Sequence, residues 1–369
     1  MGVTGVVTTG IYCRAGCPGR PHAQHRRPFA TPVAAEAAGF RPCLRCRPDR
    51  AVWPHTAEDA PVEVREAVQL IADGHLDRRS EADLAQRVGY SARQLRRLFL
   101  AHIGATPDFV ARSRRAHFAR RLLDETDLTM AQVASAAGFG STRQMRRVVE
   151  AVFKFPPEAL RARRSRTDRL ATDAIDGGLR LRLPYVPPLD FHATLDRLAG
   201  RCIPGVESVS DERYRRTILD HDAVGVIEVR DHGDGRHLEM TAHLPTWRLI
   251  SEEVAACRRL FALDAPPERA PGVWDVFEAA VLELLGGGKR QWSGAQAAAA
   301  RLAGRFGVAL PEPVCGLTHA FPSPLRLARA DPAEVAGCRV SRRAARSIVA
   351  LAQAFSENAP HRTTRAVAR

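Results

Sequence analysis

Along residues 62 to 162 apolar side chains recur at three- and four-residue spacing, as in Val62, Ala67, Ile71 and then Leu84 and Val88, with few prolines between them. That is the helical period, and it predicts an all-helical domain over 62–163. Beyond it the pattern changes. Leu179-Arg180-Leu181-Arg182-Leu183, Thr217-Ile218-Leu219 and Val224-Gly225-Val226-Ile227-Glu228-Val229 alternate as half-buried strands do, with a helical stretch near 191–199. Residues 178–263 therefore read as a small α+β domain. Alanine-rich runs at Trp274 to Leu285, Ala295 to Phe306 and Ser341 to Phe355 predict a last helical domain over 270–369. The polar run Arg161 to Asp168, followed by Asp176-Gly177-Gly178, predicts a linker at 164–177. The first 57 residues are rich in Arg, Pro and Gly and too poor in periodic apolar sequence to build a core unaided, so they need a staple. The chain is expected to be multidomain.

Length and composition fit that division: 369 residues, 45% hydrophobic and 26% charged, exclude a disordered chain. No apolar run reaches ~18 residues, and no charged N-terminal region leads into a long apolar core, so neither a membrane span nor an export signal is expected. The expected location is cytoplasmic. The net charge of +14 points to a polyanionic partner such as nucleic acid. It is concentrated in residues 1–177, which hold 29 basic and 19 acidic side chains. Every basic residue except Lys154 and Lys289 is arginine. Codon bias is the expected source of that preference, rather than function.

Cys13-x3-Cys17 and Cys43-x2-Cys46 form two close thiol pairs, a spacing that lets each pair clasp one side of a tetrahedral ion. Zinc is the expected ion, and a structural disulfide pair is the competing reading, disfavoured in a reducing compartment. Cys202, Cys257, Cys315 and Cys338 stand alone in apolar surroundings and are expected to be inert core residues.

Around those thiols, Thr8-Thr9-Gly10-Ile11-Tyr12-Cys13-Arg14-x-x-Cys17-Pro18 and Ala38-Gly39-Phe40-Arg41-Pro42-Cys43-Leu44-Arg45-Cys46-Arg47-Pro48-Asp49 resemble the N-terminal zinc domain of the Ada-type adaptive-response regulators. The resemblance implies a small α+β fold. It also implies that Cys13 is both a zinc ligand and a nucleophile, taking a methyl group from a methylphosphotriester in DNA while Cys17, Cys43 and Cys46 stay on the metal. Thr9, Arg20 and Arg45 are the positions it implies at the methylated phosphate; each could instead be an ordinary surface residue. The chemistry agrees, because a zinc-bound thiol stays deprotonated at neutral pH and a phosphodiester anion leaves without acid assistance. Methylation removes one negative charge from the cluster, which should weaken repulsion from DNA. The chain starts close to the Thr-Thr-Gly-Ile-Tyr-Cys stretch, so this domain is expected to be N-terminally short.

The helical region repeats itself. Leu84-Ala85-x-x-x-Gly89-Tyr90-Ser91-Ala92-Arg93-Gln94-Leu95-Arg96-Arg97 aligns with Val133-Ala134-x-x-x-Gly138-Phe139-Gly140-Ser141-Thr142-Arg143-Gln144-Met145-Arg146-Arg147. Each half reads as a helix, a Gly turn, a Ser cap and a second helix. Leu95, Leu98 and Phe99, and Met145, Val148 and Val149, make the buried stripes. Arg93, Gln94, Arg96, Arg97, Arg143, Gln144, Arg146 and Arg147 face outward, where Arg can read guanine and Gln adenine in a major groove. A solvated helix face is the alternative. The helix between the units, about Pro107 to Leu123, would fix their separation. With Arg115-x-x-x-Ala119-x-x-Leu122-Leu123 and Phe155-Pro156-Pro157-x-x-Leu160-Arg161, the arrangement resembles the AraC-type regulator domain, departing at Lys154-Phe155-Pro156 where that family more often has a glycine turn. Double-stranded promoter DNA, and RNA polymerase, are the implied partners.

Leu181-Arg182-Leu183-Pro184, Ile203-Pro204-Gly205-Val206-Glu207 and Tyr214-Arg215-Arg216-Thr217 look like the N-terminal α+β domain of AlkA-type 3-methyladenine glycosylases. Gly272-Val273-Trp274-Asp275-x-Phe277-Glu278 with Leu317-Thr318-His319-Ala320-Phe321-Pro322 resembles the start of their helix-hairpin-helix domain. That domain is expected to be partial, because the chain stops before the hairpin and the catalytic aspartate, and base excision is not expected. Gly286 to Gly288 read as a flexible turn, Trp274 and Trp292 as core rather than base-stacking residues, and Asp264 and Asp275 as surface or capping residues. Three functions follow: a zinc-dependent, self-methylating alkylation sensor that activates repair genes, the same protein with base excision added, or a regulator in which zinc is purely structural.

Overall fold

The computed structural model describes residues 2–19, 22–50, 60–165, 168, 170, 177–220, 222–264, 272–286 and 292–357. Its first part is a four-stranded sheet with one short helix. β1 (Val3–Val6), β2 (Ile11–Cys13), β3 (Arg26–Phe29) and β4 (Arg41–Pro42) lie in the order β3-β1-β2-β4, with α1 (Pro32–Ala37) between β3 and β4. The core there is Val3, Tyr12, Ala35 and Phe40 with Phe29 beside them, too few side chains to hold a fold without the staple the sequence demanded.

Eight helices follow: α2 (Val62–Ala72), α3 (His75–Arg78), α4 (Glu81–Arg87), α5 (Ala92–His102), α6 (Pro107–Glu125), α7 (Met130–Ala136), α8 (Thr142–Phe153) and α9 (Pro157–Ala162). Local chemistry sets their ends. Ser80, Ser91 and Thr129 form capping boxes with Asp83, Gln94 and Gln132, and Thr106 caps α6 ahead of Pro107. Gly89 and Gly138, at φ +78° and +76°, make the turns of the two helix-turn-helix units in a backbone region that side chains disfavour. The expected departure at Lys154 has a structural form: this residue ends α8 in the left-handed conformation where glycine is usual.

The α+β part holds β5 (Leu179–Pro184), α10 (Phe191–Ala199), β6 (Glu207–Ser210), β7 (Arg213–Asp220), β8 (Ala223–Asp231), β9 (His237–His243) and α11 (Ile250–Leu260). Its five strands form an antiparallel sheet in the order β5-β9-β8-β7-β6. The last part has α12 (Val276–Gly286), α13 (Trp292–Phe306), β10 (Val308–Val314), β11 (Leu317–Ala320), α14 (Pro324–Ala328), α15 (Pro332–Gly337) and α16 (Arg342–Glu357). The β10-β11 hairpin was not anticipated in a segment read as helical throughout. Pro311 and Pro313 hide it, and its strands pair only near their ends, at Val308↔Ala320, Ala309↔His319 and Val314↔Leu317. Cys315 sits exposed at its tip, which corrects the expectation of a core cysteine; Cys257 and Cys338 are buried and Cys202 half-buried.

Cores do not follow the four sequence segments. One cluster runs from Ala116 through the second helix-turn-helix unit into the five-stranded sheet, and the turn at Trp247–Leu249 packs on α7. Val33 of the first part joins the core of the first unit with Leu95 and Phe99. Trp274 is buried against Tyr214 and Arg216, and the Asp275 carboxylate accepts the Glu278 N–H at the start of α12, so both fill the core and capping roles read for them. The Trp292 side chain and Gly287 and Gly288 lie outside the described residues.

Candidate metal centre and nucleic-acid interface

Cys13 ends β2 and Cys43 follows β4. These two strands are parallel, Ile11 opposite Arg41 and Tyr12 opposite Pro42, and the Cys43 N–H donates to the Tyr12 carbonyl at 2.9 Å. Parallel pairing delivers both cysteines at the same end of the sheet. Two tight turns bring the others back: Cys17 N–H donates to the Arg14 carbonyl beside Gly16, whose φ is +77°, and Arg47 N–H to the Cys43 carbonyl. The sulfurs of Cys13, Cys17, Cys43 and Cys46 all lie within 4.8 Å of one another. Tetrahedral Zn–S bonds of ~2.3 Å place sulfurs about 3.8 Å apart, so the cluster fits the ion.

Its electrostatics call for a cation. Burial, then the Cys17 side chain and the sulfurs of Cys43 and Cys46, push the Cys13 thiol well up. Burial likewise leads the rise of Cys46 to about 11. Burial also pushes Cys43 up, but backbone N–H groups of Cys46 and Arg45 and the thiols of Cys13 and Cys46, all directed at its sulfur, together bring it below its ordinary value. Four adjacent thiols cannot all ionise at neutral pH unaided, and a divalent ion removes that obstacle.

Around the cluster, Thr9 is exposed in the β1–β2 turn with its hydroxyl directed at the Val6 carbonyl, and Arg45 is exposed between the two C-terminal cysteines. Arg20 lies outside the described residues.

On the recognition helices α5 and α8, seven of the eight sequence candidates are exposed and Gln144 is half-buried. Their engagements differ. The Gln94 side-chain oxygen accepts the Ser91 N–H at 3.1 Å, and that of Gln144 accepts the Gly140 N–H at 2.9 Å, so both glutamines help shape the turns. Arg96 makes a two-point pair with Glu81, 2.6 and 3.2 Å, and Arg146 pairs with Glu158 at 2.5 Å. Arg93, Arg97, Arg143 and Arg147 have no ion-pair partner among the described residues. They are spaced at i and i+4 on each helix, so each pair of guanidiniums shares one exposed face.

Sequence reasoning missed the contacts that hold the metal segment onto the helices. Buried Glu36 of α1 accepts from Tyr12 Oη at 2.6 Å, Ser113 Oγ at 2.5 Å and pairs with His117 Nε2 at 2.6 Å. Arg47, next to Cys46, donates to Asp124 at 2.6 Å, where Arg120 also pairs at 2.8 Å. One signal was available: Glu36 is the only acidic residue before Asp49, in a stretch crowded with arginine.

With that geometry established, comparisons with known proteins place the chain. Sequence profiles match at three stretches, the metal binding domain of Ada over residues 2–49, a helix-turn-helix domain over 84–163 and the AlkA N-terminal domain over 180–278. A Mycobacterium tuberculosis H37Rv protein described as a probable bifunctional transcriptional activator/DNA repair enzyme AlkA is 36% identical over 371 residues, covering 94% of this chain and 74% of that one. The chain belongs to the family of AlkA-type bifunctional activator and DNA repair proteins. This AlkA-type member is also similar to the bifunctional transcriptional activator/DNA repair enzyme Ada of Escherichia coli K12, 32% identical over 149 residues, 40% of this chain and 41% of that one. Its similarity to DNA-3-methyladenine glycosylase 2 of the same organism is 31% over 200 residues, 47% of this chain and 67% of that one. Like its family, the AlkA-type chain joins a zinc-binding cysteine cluster, an AraC-type helix-turn-helix domain and a glycosylase-like region, and its partner is DNA. No helix among the described residues is long and apolar enough to cross a membrane.

Proposed function

We propose that this protein is a cytoplasmic DNA-alkylation sensor that is consumed in use: Cys13 accepts a methyl group from a DNA methylphosphotriester, and the helix-turn-helix pair then binds promoter DNA, recruiting RNA polymerase to repair genes. The observation that carries the reading is the four-sulfur cluster with Cys13, half-buried, as the last residue of β2. Backbone N–H groups are aimed at the sulfurs of Cys43 and Cys46, which damps them as nucleophiles, whereas the groups acting on Cys13 are burial and its fellow cysteines. Bound zinc supplies the positive charge that keeps the thiols deprotonated. The Cys13 sulfur attacks the methyl carbon in line, the S–C bond forms as the C–O bond breaks, and the electron pair leaves on the phosphate as an ordinary phosphodiester anion. Thr9 and Arg45, exposed beside the cluster, contact the flanking phosphates, and Arg20 is assigned the same role from the sequence. Arg93, Arg97, Arg143 and Arg147 grip the promoter, with Gln94, Gln144, Arg96 and Arg146 setting the contact edges.

The test is incubation of zinc-loaded protein with methylphosphotriester DNA, followed by intact and peptide mass spectrometry. One added methyl, located on Cys13 and lost in Cys13→Ser, is the expected result. Zinc-loaded protein without that methyl would reduce the site to a structural staple.

A second reading, base excision, is favoured by the similarity to the glycosylase region. Release of free 3-methyladenine from alkylated DNA by this chain would establish it.

A further inference from the structure

The zinc segment touches both helix-turn-helix units, and it does so through side chains that neither zinc binding nor methyl transfer uses. On the first unit, Val33 is buried in the core with Leu95 and Phe99, Thr31 Oγ1 donates to the Ile103 carbonyl at 2.8 Å, and Ala34 lies close under Gly104. On the second, β4 packs on α8 and the Arg41 guanidinium stands 5.3 Å over the Phe155 ring. Between them runs α6, the helix that separates the two recognition helices.

The contacts on α6 fall on one stripe. Ser113, His117, Arg120 and Asp124 recur at four, three and four residues, so they share a face. Ser113 and His117 meet Glu36, and Asp124, which Arg120 pairs with one turn back on the same helix, meets Arg47. Each partner lies next to the metal site: Glu36 also holds Tyr12, the neighbour of Cys13, and Arg47 follows Cys46. Glu36 is 6% exposed and receives three partners, so it is a junction with little freedom to rearrange.

We infer that the zinc segment is a metal-dependent brace across the two helix-turn-helix units, with Glu36 as the positioning residue that ties the Cys13 strand to α6. A fold with so small a core of its own keeps its shape only while its cysteines are clasped. Loss of the clasp therefore frees α6, and the spacing of the recognition helices becomes linked to the state of the cysteine cluster. The brace needs zinc and the seam, whether or not Cys13 transfers a methyl.

The test is hydrogen exchange read by mass spectrometry on the full chain, zinc-loaded and chelator-stripped, for wild type, Glu36→Gln and Ser113→Ala. In wild type, stripping zinc should speed exchange of the 113–124 segment of α6 about tenfold or more. In both variants that dependence on zinc should shrink to less than about twofold, with α6 already fast when loaded. Peptides of α5 lie against Val33 rather than Glu36, so their dependence on zinc should persist in the variants. Cobalt substitution supplies the control: one thiolate-bound ion per chain, with an unchanged absorption spectrum, shows that the variants keep their metal site. Should Glu36→Gln fail to hold metal, Ser113→Ala, which lies outside the zinc segment, decides. An α6 indifferent to zinc in wild type, or equally dependent on it in the variants, overturns the inference. Methyl transfer is not read in this assay, so its failure elsewhere leaves the result standing.

Discussion

Glu81 lies in the first turn of α4 and holds Arg96 of the recognition helix α5 through two hydrogen bonds, 2.6 and 3.2 Å. The Arg96 side chain is 58% exposed and Glu81 only 12%, so the arginine is tethered from the protein side while still facing outward. Glu81→Gln keeps the shape and removes the charge that neutralises it. If α5 enters a groove, one more guanidinium becomes available to phosphate, and each such contact steepens the dependence of log K on log salt by about 0.9. Worked through, that predicts binding to a duplex of arbitrary sequence stronger by about fifteenfold at 0.05 M salt and about fourfold at 0.2 M. Fluorescence anisotropy of a labelled duplex across a salt series measures both slope and affinity. Arg97→Ala, which removes a guanidinium with no ion-pair partner among the described residues, should lower the slope by about 0.9 in the same assay. Glu158→Gln should act on Arg146 as Glu81→Gln acts on Arg96. Unchanged or weaker binding by Glu81→Gln would refute the placement of this helix face on DNA.

Asp124 offers a second perturbation, since its side chain is 3% exposed and sits between Arg47 and Arg120. Asp124→Asn removes the buried carboxylate charge that Arg47 and Arg120 share and should cost about 3–5 kcal/mol in urea unfolding followed by circular dichroism, whereas Glu334→Ala, at a solvent-exposed pair with Arg305, should cost below about 1 kcal/mol. Lys154→Gly should stabilise α8 by about 0.5–1 kcal/mol, because glycine adopts the left-handed end of the helix without strain; a lower melting temperature would contradict this. Burial, opposed by Arg216 and reinforced by Glu252 and Asp275, pushes the Glu253 carboxyl from 4.5 up to about 8. The folded chain thus holds a proton there that the unfolded chain has released, so stability should fall as pH rises from about 4.5 to 8, and Glu253→Gln should flatten that slope in pH-dependent thermal unfolding.

The elements that a local period defines were legible. Leu95 and Phe99, or Met145 and Val149, announce a buried helix face by spacing alone, and Ser91 and Ser141 announce where the recognition helices begin. The four cysteines were legible because a metal site is a short-range pattern of thiols in two pairs. What spacing cannot carry is a partner distant in sequence. Glu36 and Ser113 are 77 residues apart, and nothing local marks either as half of a hydrogen bond. The two prolines of β10 masked a strand because strand preference there comes from tertiary pairing. The outward side chains of α5 and α8 were read as a set, but their division into arginines paired within the protein, Arg96 and Arg146, and the others depends on Glu81 and Glu158, which the repeat does not include.

The packing of α7 against the turn at Trp247 has a consequence for descent. Profile matches end at 163 and resume at 180, and a gene assembled from separate modules would be joined between those positions. Yet Val133, Ala134 and Leu181, on opposite sides of that join, are buried in one cluster. Exchanging either half for that of a distant relative would set two faces together that never adapted to each other. The regulator and the glycosylase-like sheet should therefore be inherited as a pair, with substitutions on α7 compensated near Trp247 rather than within the helix-turn-helix itself.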